Sequence, residues 1–100
     1  MAIHIQAQTD HRTTSGIITT KASLLFGMQL GTDGVNNPTV TIYDGVDNTG
    51  EEIVPTAEYN ADLLGLNGFI TPYGKQAYNG LYLEIACDGT VEVVTDYREF

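Results

Sequence analysis

Two histidines, one cysteine, two serines and thirteen carboxylates are the residues from which this chain could build chemistry. His4 and His11 stand seven positions apart, so one strand cannot present both on the same face. Neither has a second His or a Cys nearby, and no zinc site is expected. Asp44, Asp47, Asn48 and Glu51 superficially resemble a calcium loop. Val46 occupies the position where the EF-hand pattern requires a second acid or Asn. A weak calcium site is one reading of these four, and a turn held by Asp and Asn side chains is the plainer one. The only serines are Ser15 and Ser23, and neither sits in a Gly-x-Ser-x-Gly elbow. No glycine-rich phosphate loop precedes a lysine. Cys87 shares its parity with Leu83 and Ile85, which reads as a buried, inert thiol, and one cysteine allows no internal disulfide. Two carboxylates on different strands could pair as acid and base, but thirteen acids make such a pairing easy to imagine and weak as evidence. No catalytic residues, no cofactor and no enzymatic activity are expected.

Charge narrows the partners. The chain has 100 residues, with 13 acids against 4 bases and a formal net charge of −9. Phosphate backbones and anionic membrane surfaces repel such a protein, so neither nucleic acid nor membrane is an expected partner. The bases are Arg12, Lys21, Lys75 and Arg98. Between Lys21 and Lys75 lie Asp33, Asp44, Asp47, Glu51, Glu52, Glu58 and Asp62 with no base among them. A solvated acidic face is the plain reading, and a positively charged partner or a cation is the other. The stretch from Met1 to Gln6 has no basic leader and no long apolar run. No segment approaches the roughly 18 apolar residues of a membrane span. Synthesis in a cytoplasm is expected.

The elements that would position these residues are strands. A length of 100 residues gives one domain. Hydrophobic residues make up 42% and charged ones 17%, and the many glycines and threonines favour strands and turns over helices. Residues 1–15 are mostly polar, with Ile3 and Ile5 alternating, and read as an N-terminal arm or edge strand. Gly16 onward begins a single domain through residue 100. Ile17–Thr20 reads as a short strand. In Ala22–Leu30, Leu24, Phe26, Met28 and Leu30 share one parity and are expected to face the core. Residues 31–38 are loop. Thr39–Asp44 alternates, with Val40 and Ile42 on one side. Glu51–Val54 is a strand that Pro55 ends or places at an edge. Residues 57–64 fit either a helical turn or a strand. Gly80–Cys87 and Thr90–Tyr97 alternate around Asp88-Gly89, which predicts a hairpin with a type I′ turn. Some seven or eight short strands predict an all-β, antiparallel sandwich of jelly-roll type. The six tyrosines read as cross-strand packing or as a contact surface.

The ordered pair Thr39-Val40-Thr41-Ile42-Tyr43-Asp44-Gly45 and Asn79-Gly80-Leu81-Tyr82-Leu83-Glu84-Ile85, with the Asp88-Gly89 turn and the closing strand Val91–Tyr97, resembles small β-sandwich structural proteins of tailed bacteriophages. These are head decoration, head-fibre and small tail-associated subunits. The likeness covers about residues 16–98. It implies turn roles for Asp44, Gly45, Asn79 and Gly80, and core roles for Val40, Ile42, Leu81 and Leu83. It also implies a non-enzymatic virion protein, above all a capsid decoration protein on the outer head surface. Its partners would be the major capsid protein and copies of itself, a trimer being favoured. Residues of the arm, Ile3, Ile5, Gln8, His11 and Arg12, would reach a neighbouring subunit. A tail or head–tail accessory subunit and a small carbohydrate- or ligand-binding module are the alternatives.

Overall fold

The computed structural model describes residues 8–61 and 67–100, with the side chains of 67–73 outside that description. Ile3, Ile5 and residues 62–64 of the helix-or-strand stretch 57–64 therefore lie outside the described residues, while Ala57 and Glu58 of that stretch are strand. Eight strands follow in order: β1 Gln8–Arg12, β2 Gly16–Thr19, β3 Ser23–Thr32, β4 Thr39–Asp44, β5 Glu51–Glu58, β6 Asn67–Ala77, β7 Leu81–Ala86 and β8 Val91–Glu99. They form two antiparallel four-stranded sheets, β1-β8-β3-β6 and β2-β7-β4-β5. The chain changes sheet at every connection except the one from β4 to β5. This is the order of a jelly roll, two Greek keys folded face to face.

Alternation explains the layers. Leu25, Met28, Leu30, Val91, Val93 and Tyr97 point inward from the first sheet. Ile18, Val40, Ile42, Val54, Leu81 and Leu83 meet them from the second. Each large aliphatic side chain buried here contributes roughly 1.5–3 kcal/mol. Val40, Ile42, Leu81 and Leu83 are fully buried, in the core places expected of them.

Two expectations change. The first is parity in β3. Leu25 is fully buried while Leu24 and Phe26 are only partly so. Against β8 the ladder steps from Leu25↔Tyr97 to Gly27↔Asp96, so Phe26 is an extra residue in β3, whereas against β6 the same step skips residues 71–74 of β6. A bulge inserts one extra residue and reverses the phase of alternation. Met28 and Leu30 face the core as expected, and Leu24 and Phe26 do not.

The second is the Asp88-Gly89 hairpin. β7 lies between β2 and β4, and β8 lies between β1 and β3. Asp88-Gly89 therefore crosses from one sheet to the other. Neither residue takes the positive φ that a type I′ turn needs. Pro55 keeps its expected place at an edge. β5 runs on to Glu58, because it is the edge strand of its sheet and Pro55 needs no partner for a missing N–H. Pro55 and Thr56 together oppose Thr41 across a second bulge, and the Thr41 and Thr56 hydroxyls bond at 2.7 Å.

One core group is out of keeping. Thr95 is fully buried on the inward side of β8, and its hydroxyl has no hydrogen-bond partner among the described residues. A buried hydroxyl without a partner costs about 1–3 kcal/mol. Thr95→Val keeps the shape and removes the hydroxyl. It should raise stability by about 1 kcal/mol in urea unfolding. A lowered midpoint would mean that the hydroxyl is bonded after all.

Candidate functional site

Residues 8–12 of the expected arm are a strand of the body. β1 is the edge of its sheet and pairs with β8 from Gln8↔Tyr97 to Arg12↔Val93. Asp10 and Arg12 lie on the inward side of that edge, opposite Thr95 and Val93. The Arg12 guanidinium forks onto the Asp10 carboxylate at 2.7 and 2.9 Å. The same group donates to the Ile17 carbonyl of β2 at 2.9 Å, and the Asp10 hydrogen bond, ahead of its charge, holds Arg12 above its ordinary pKa. Arg12 thus closes the open flank between the sheets. His11 is exposed, 3.7 Å from the Glu92 carboxylate, and Gln8 hydrogen-bonds Glu99. These three side chains therefore have partners within the body, and a truncation that probes an arm must stop before Gln8. On the opposite flank Lys75 of β6 donates to the Ile53 carbonyl of β5 at 3.0 Å. One base bridges the two sheets on each side.

The four residues of the calcium-loop reading do not converge. The Asp44 carboxylate accepts the backbone N–H groups of Tyr78 and Asn79 at 2.7–3.1 Å. Asp47 accepts from the Thr49 hydroxyl and N–H, which lowers its pKa, the hydroxyl bond first. Asn48 donates to Glu84 at 3.1 Å. Glu51 lines the flank beside Lys75. Among the described residues, no group of three or more His, Cys, Asp or Glu is placed to hold a metal. Asp44 instead ties the β4–β5 loop to the β6–β7 crossover. Gly45 N–H also donates to the Gly80 carbonyl at 3.1 Å. Asp44, Gly45, Asn79 and Gly80, expected as separate turns, are one joint.

A second joint binds the other end of the sandwich. Asp33 accepts four hydrogen bonds: the N–H groups of Val35 and Asn36 at 2.8 Å, the Asn36 amide at 2.9 Å and the Thr90 N–H at 3.2 Å. These bonds, that of the Asn36 N–H first, hold its carboxyl well below the ordinary range. An Asp followed by Asn at the third position is readable as a turn, but its reach to Thr90 is not. A depressed carboxylate stabilises the fold above its unfolded pKa of about 3.9 and loses that contribution as pH falls through the folded value. Tm should therefore hold down to about pH 5 and fall below about pH 4. Asp33→Asn puts an amide against the donors of Asn36 or Thr90. It should lower Tm by several degrees at pH 7, and the gap from wild type should close towards pH 2. A gap independent of pH would remove the carboxylate from the explanation.

The outward side of the second sheet carries one continuous cross-strand row. Ile17 of β2 pairs with Tyr82 of β7, Tyr82 with Tyr43 of β4, and Tyr43 with Glu52 of β5. The Tyr43 and Tyr82 rings lie 6.3 Å apart, tilted by 44°. This is the range of favourable aromatic pairs. Ile17 is 45% exposed. Glu84, opposite Thr41, stands beside the row. The four strands of this sheet hold five carboxylates and no base, whereas the other sheet holds four carboxylates and three bases. Of the five, Glu52, Glu58 and Glu84 share the outward side, while Asp44 turns to the β6–β7 crossover and Glu51 to the Lys75 flank.

The other described tyrosine side chains are elsewhere. Tyr97 is in the core, Tyr59 packs against it, and Tyr78 is 67% exposed beside Asp44. Tyr59 also lines an apolar hollow of about 360 Å³ with Val54, Pro55, Ala57 and Lys75. Cys87 is half-buried against the core, its thiol 3.8 Å from the Asn36 carbonyl. No family model matches this chain, and comparison with curated proteins gives no match.

Proposed function

We propose that this chain is a non-enzymatic structural protein of a virion, a decoration subunit on the outer face of a phage head. The observation that carries this reading is the strand order β1-β8-β3-β6 over β2-β7-β4-β5, the jelly-roll plan of many capsid domains. The likeness of residues 16–98 to small phage sandwich proteins points the same way. This is an argument by analogy of fold and pattern. The physical demands are compatible with it, since a lattice subunit needs a rigid body and a repeating surface. The partners would be the major capsid protein and further copies of the chain, with a trimer as the favoured assembly. The β5 edge is blunted by Pro55 and a bulge, and β2 has only four residues. β6 has eleven residues and pairs with β3 alone among the described strands. A cyclic oligomer would cover that edge.

Immunogold microscopy of particles from the source tests the proposal. Label spread over the head supports decoration. Label at the tail or neck moves the chain to the accessory-subunit alternative. Unlabelled particles overturn the virion reading. The ligand-binding alternative draws on the Tyr59 hollow, whose size is within the about 300–1,000 Å³ of small-molecule sites. A saturable change of tyrosine fluorescence with a glycan panel would favour it.

A further inference from the structure

We propose that the outward face of the β2-β7-β4-β5 sheet is a docking surface for an arginine-bearing face of a partner protein. The proposal deepens the virion reading by naming the face that docks, and it can fail separately. Three observations meet on this sheet. Its outward side carries Glu52, Glu58 and Glu84 and no base of its own strands, Lys75 of β6 standing only at the β5 flank, so the face favours an approaching cation. Its centre is the row Ile17, Tyr82, Tyr43, which offers apolar and aromatic area rather than charge alone. Its rim includes Glu52, exposed, and Glu84, whose carboxylate is steadied by Asn48. A guanidinium suits this combination better than an ammonium. It is planar, stacks on tyrosine rings and pairs with a carboxylate in a fork. Tyr and Arg are also the residues that most often dominate interfaces. The outward side of the opposite sheet has less contrast, because Arg98 stands on β8 with Glu92 and Asp96.

Geometry sets the scale. Four strands about 4.8 Å apart and six residues long at about 3.3 Å each give a face of about 400 Å². A stable interface buries about 800 Å² per partner. One copy alone should bind weakly, and a cyclic assembly of several copies would supply the rest through effective concentration.

The test titrates the isotope-labelled full chain with an arginine octapeptide at about 0.15 M salt and follows backbone amide shifts by NMR. A lysine octapeptide of equal charge is the comparison. The expected result is saturable shifts at Ile17, Tyr43, Glu52, Tyr82 and Glu84, with the arginine peptide binding more tightly. The Glu52→Gln/Glu84→Gln variant should weaken binding about tenfold. The Glu92→Gln/Asp96→Asn variant, on the other sheet, should stay within about twofold. An unchanged amide spectrum away from the substituted sites confirms that each variant is folded. Equal losses in the two variants, equal affinity for the two peptides, or shifts gathered on the other sheet would each overturn the proposal. Gold-labelled heads with a silent face would discard this docking surface and leave the virion reading standing. Shifts on this face with unlabelled particles would do the reverse.

Discussion

Gly80→Ala is expected to destabilise the protein by about 3 kcal/mol, a large part of the roughly 5–15 kcal/mol that holds a domain of this size together. Two costs add. Gly80 has φ +119°, a conformation that costs an alanine about 1–3 kcal/mol. A Cβ there would also stand 2.5 Å from the Thr19 carbonyl oxygen and 3.0 Å from that of Gly45. Neither is the end of a flexible side chain, so the backbone itself must move. That movement would pull on the bond from Gly45 N–H to the Gly80 carbonyl and on the Asp44 carboxylate that holds Tyr78 and Asn79. Gly34 separates the two costs. Its φ is +81°, and no atom lies within 4 Å of where a Cβ would be. Gly34→Ala should therefore cost only the conformational part, about 1 kcal/mol. In urea, with a slope of about 1.5–2 kcal/mol per molar, the midpoints should fall by about 1.5–2 M for Gly80→Ala and about 0.5 M for Gly34→Ala. Equal shifts would show that crowding at Gly80 contributes nothing.

This joint also shows where reading the sequence stops. Asp44-Gly45 and Asn79-Gly80 are each legible as turns, because Asp, Asn and Gly favour them. That they are the same place is not legible, since 34 residues separate Asp44 from Tyr78. The same limit explains Asp88-Gly89. Alternation on both sides shows two strands, and a short polar link between strands suits a hairpin. In a jelly roll the chain crosses between sheets after nearly every strand, so a short link joins strands that do not pair. Period-2 patterning reports which residues face inward, not which sheet they face inward from. The strands from Thr39 to Asp44 and from Gly80 onward were readable for that reason, and their partners were not. The candidate docking face follows the same rule. Tyr43, Tyr82 and Glu52 could each be assigned to an outward side, but only the register brings them into one row with Ile17. Arg12 was visible as a cation in a polar stretch. Its use in closing the flank depends on Ile17 of another sheet, which no local pattern reports.

The bulge at Phe26 separates the two descriptions of β3 most sharply, and a pair of neighbours decides between them. Strict alternation places Leu24, Phe26, Met28 and Leu30 on the core side and leaves Leu25 outside. With Phe26 as an extra residue, Leu25 is inside and Leu24 is on the outer side, near Gly74 of β6. Removing a fully buried leucine side chain costs about 2–5 kcal/mol, because the transfer energy is lost and a cavity is left. Leu25→Ala should then lower Tm by more than about 10 °C, at about 4–8 °C per kcal/mol for a domain of this size. Leu24 is only partly buried and has solvent on one side, so its truncation leaves no closed cavity. Leu24→Ala should lower Tm by about 5 °C or less. The order of the two effects matters more than either size, since both variants delete the same atoms from adjacent positions on one strand. A larger loss for Leu24→Ala would restore strict alternation. It would then require Met28 and Leu30 to keep their phase without an inserted residue, and the ladder of β3 with β8 to be drawn differently. The expected order instead ties the burial of Leu25 to the extra residue at Phe26. The same bulge keeps Met28 and Leu30 facing Val40, Ile42, Leu81 and Leu83 across the core, and so keeps the second sheet packed with its Tyr43–Tyr82 row outward.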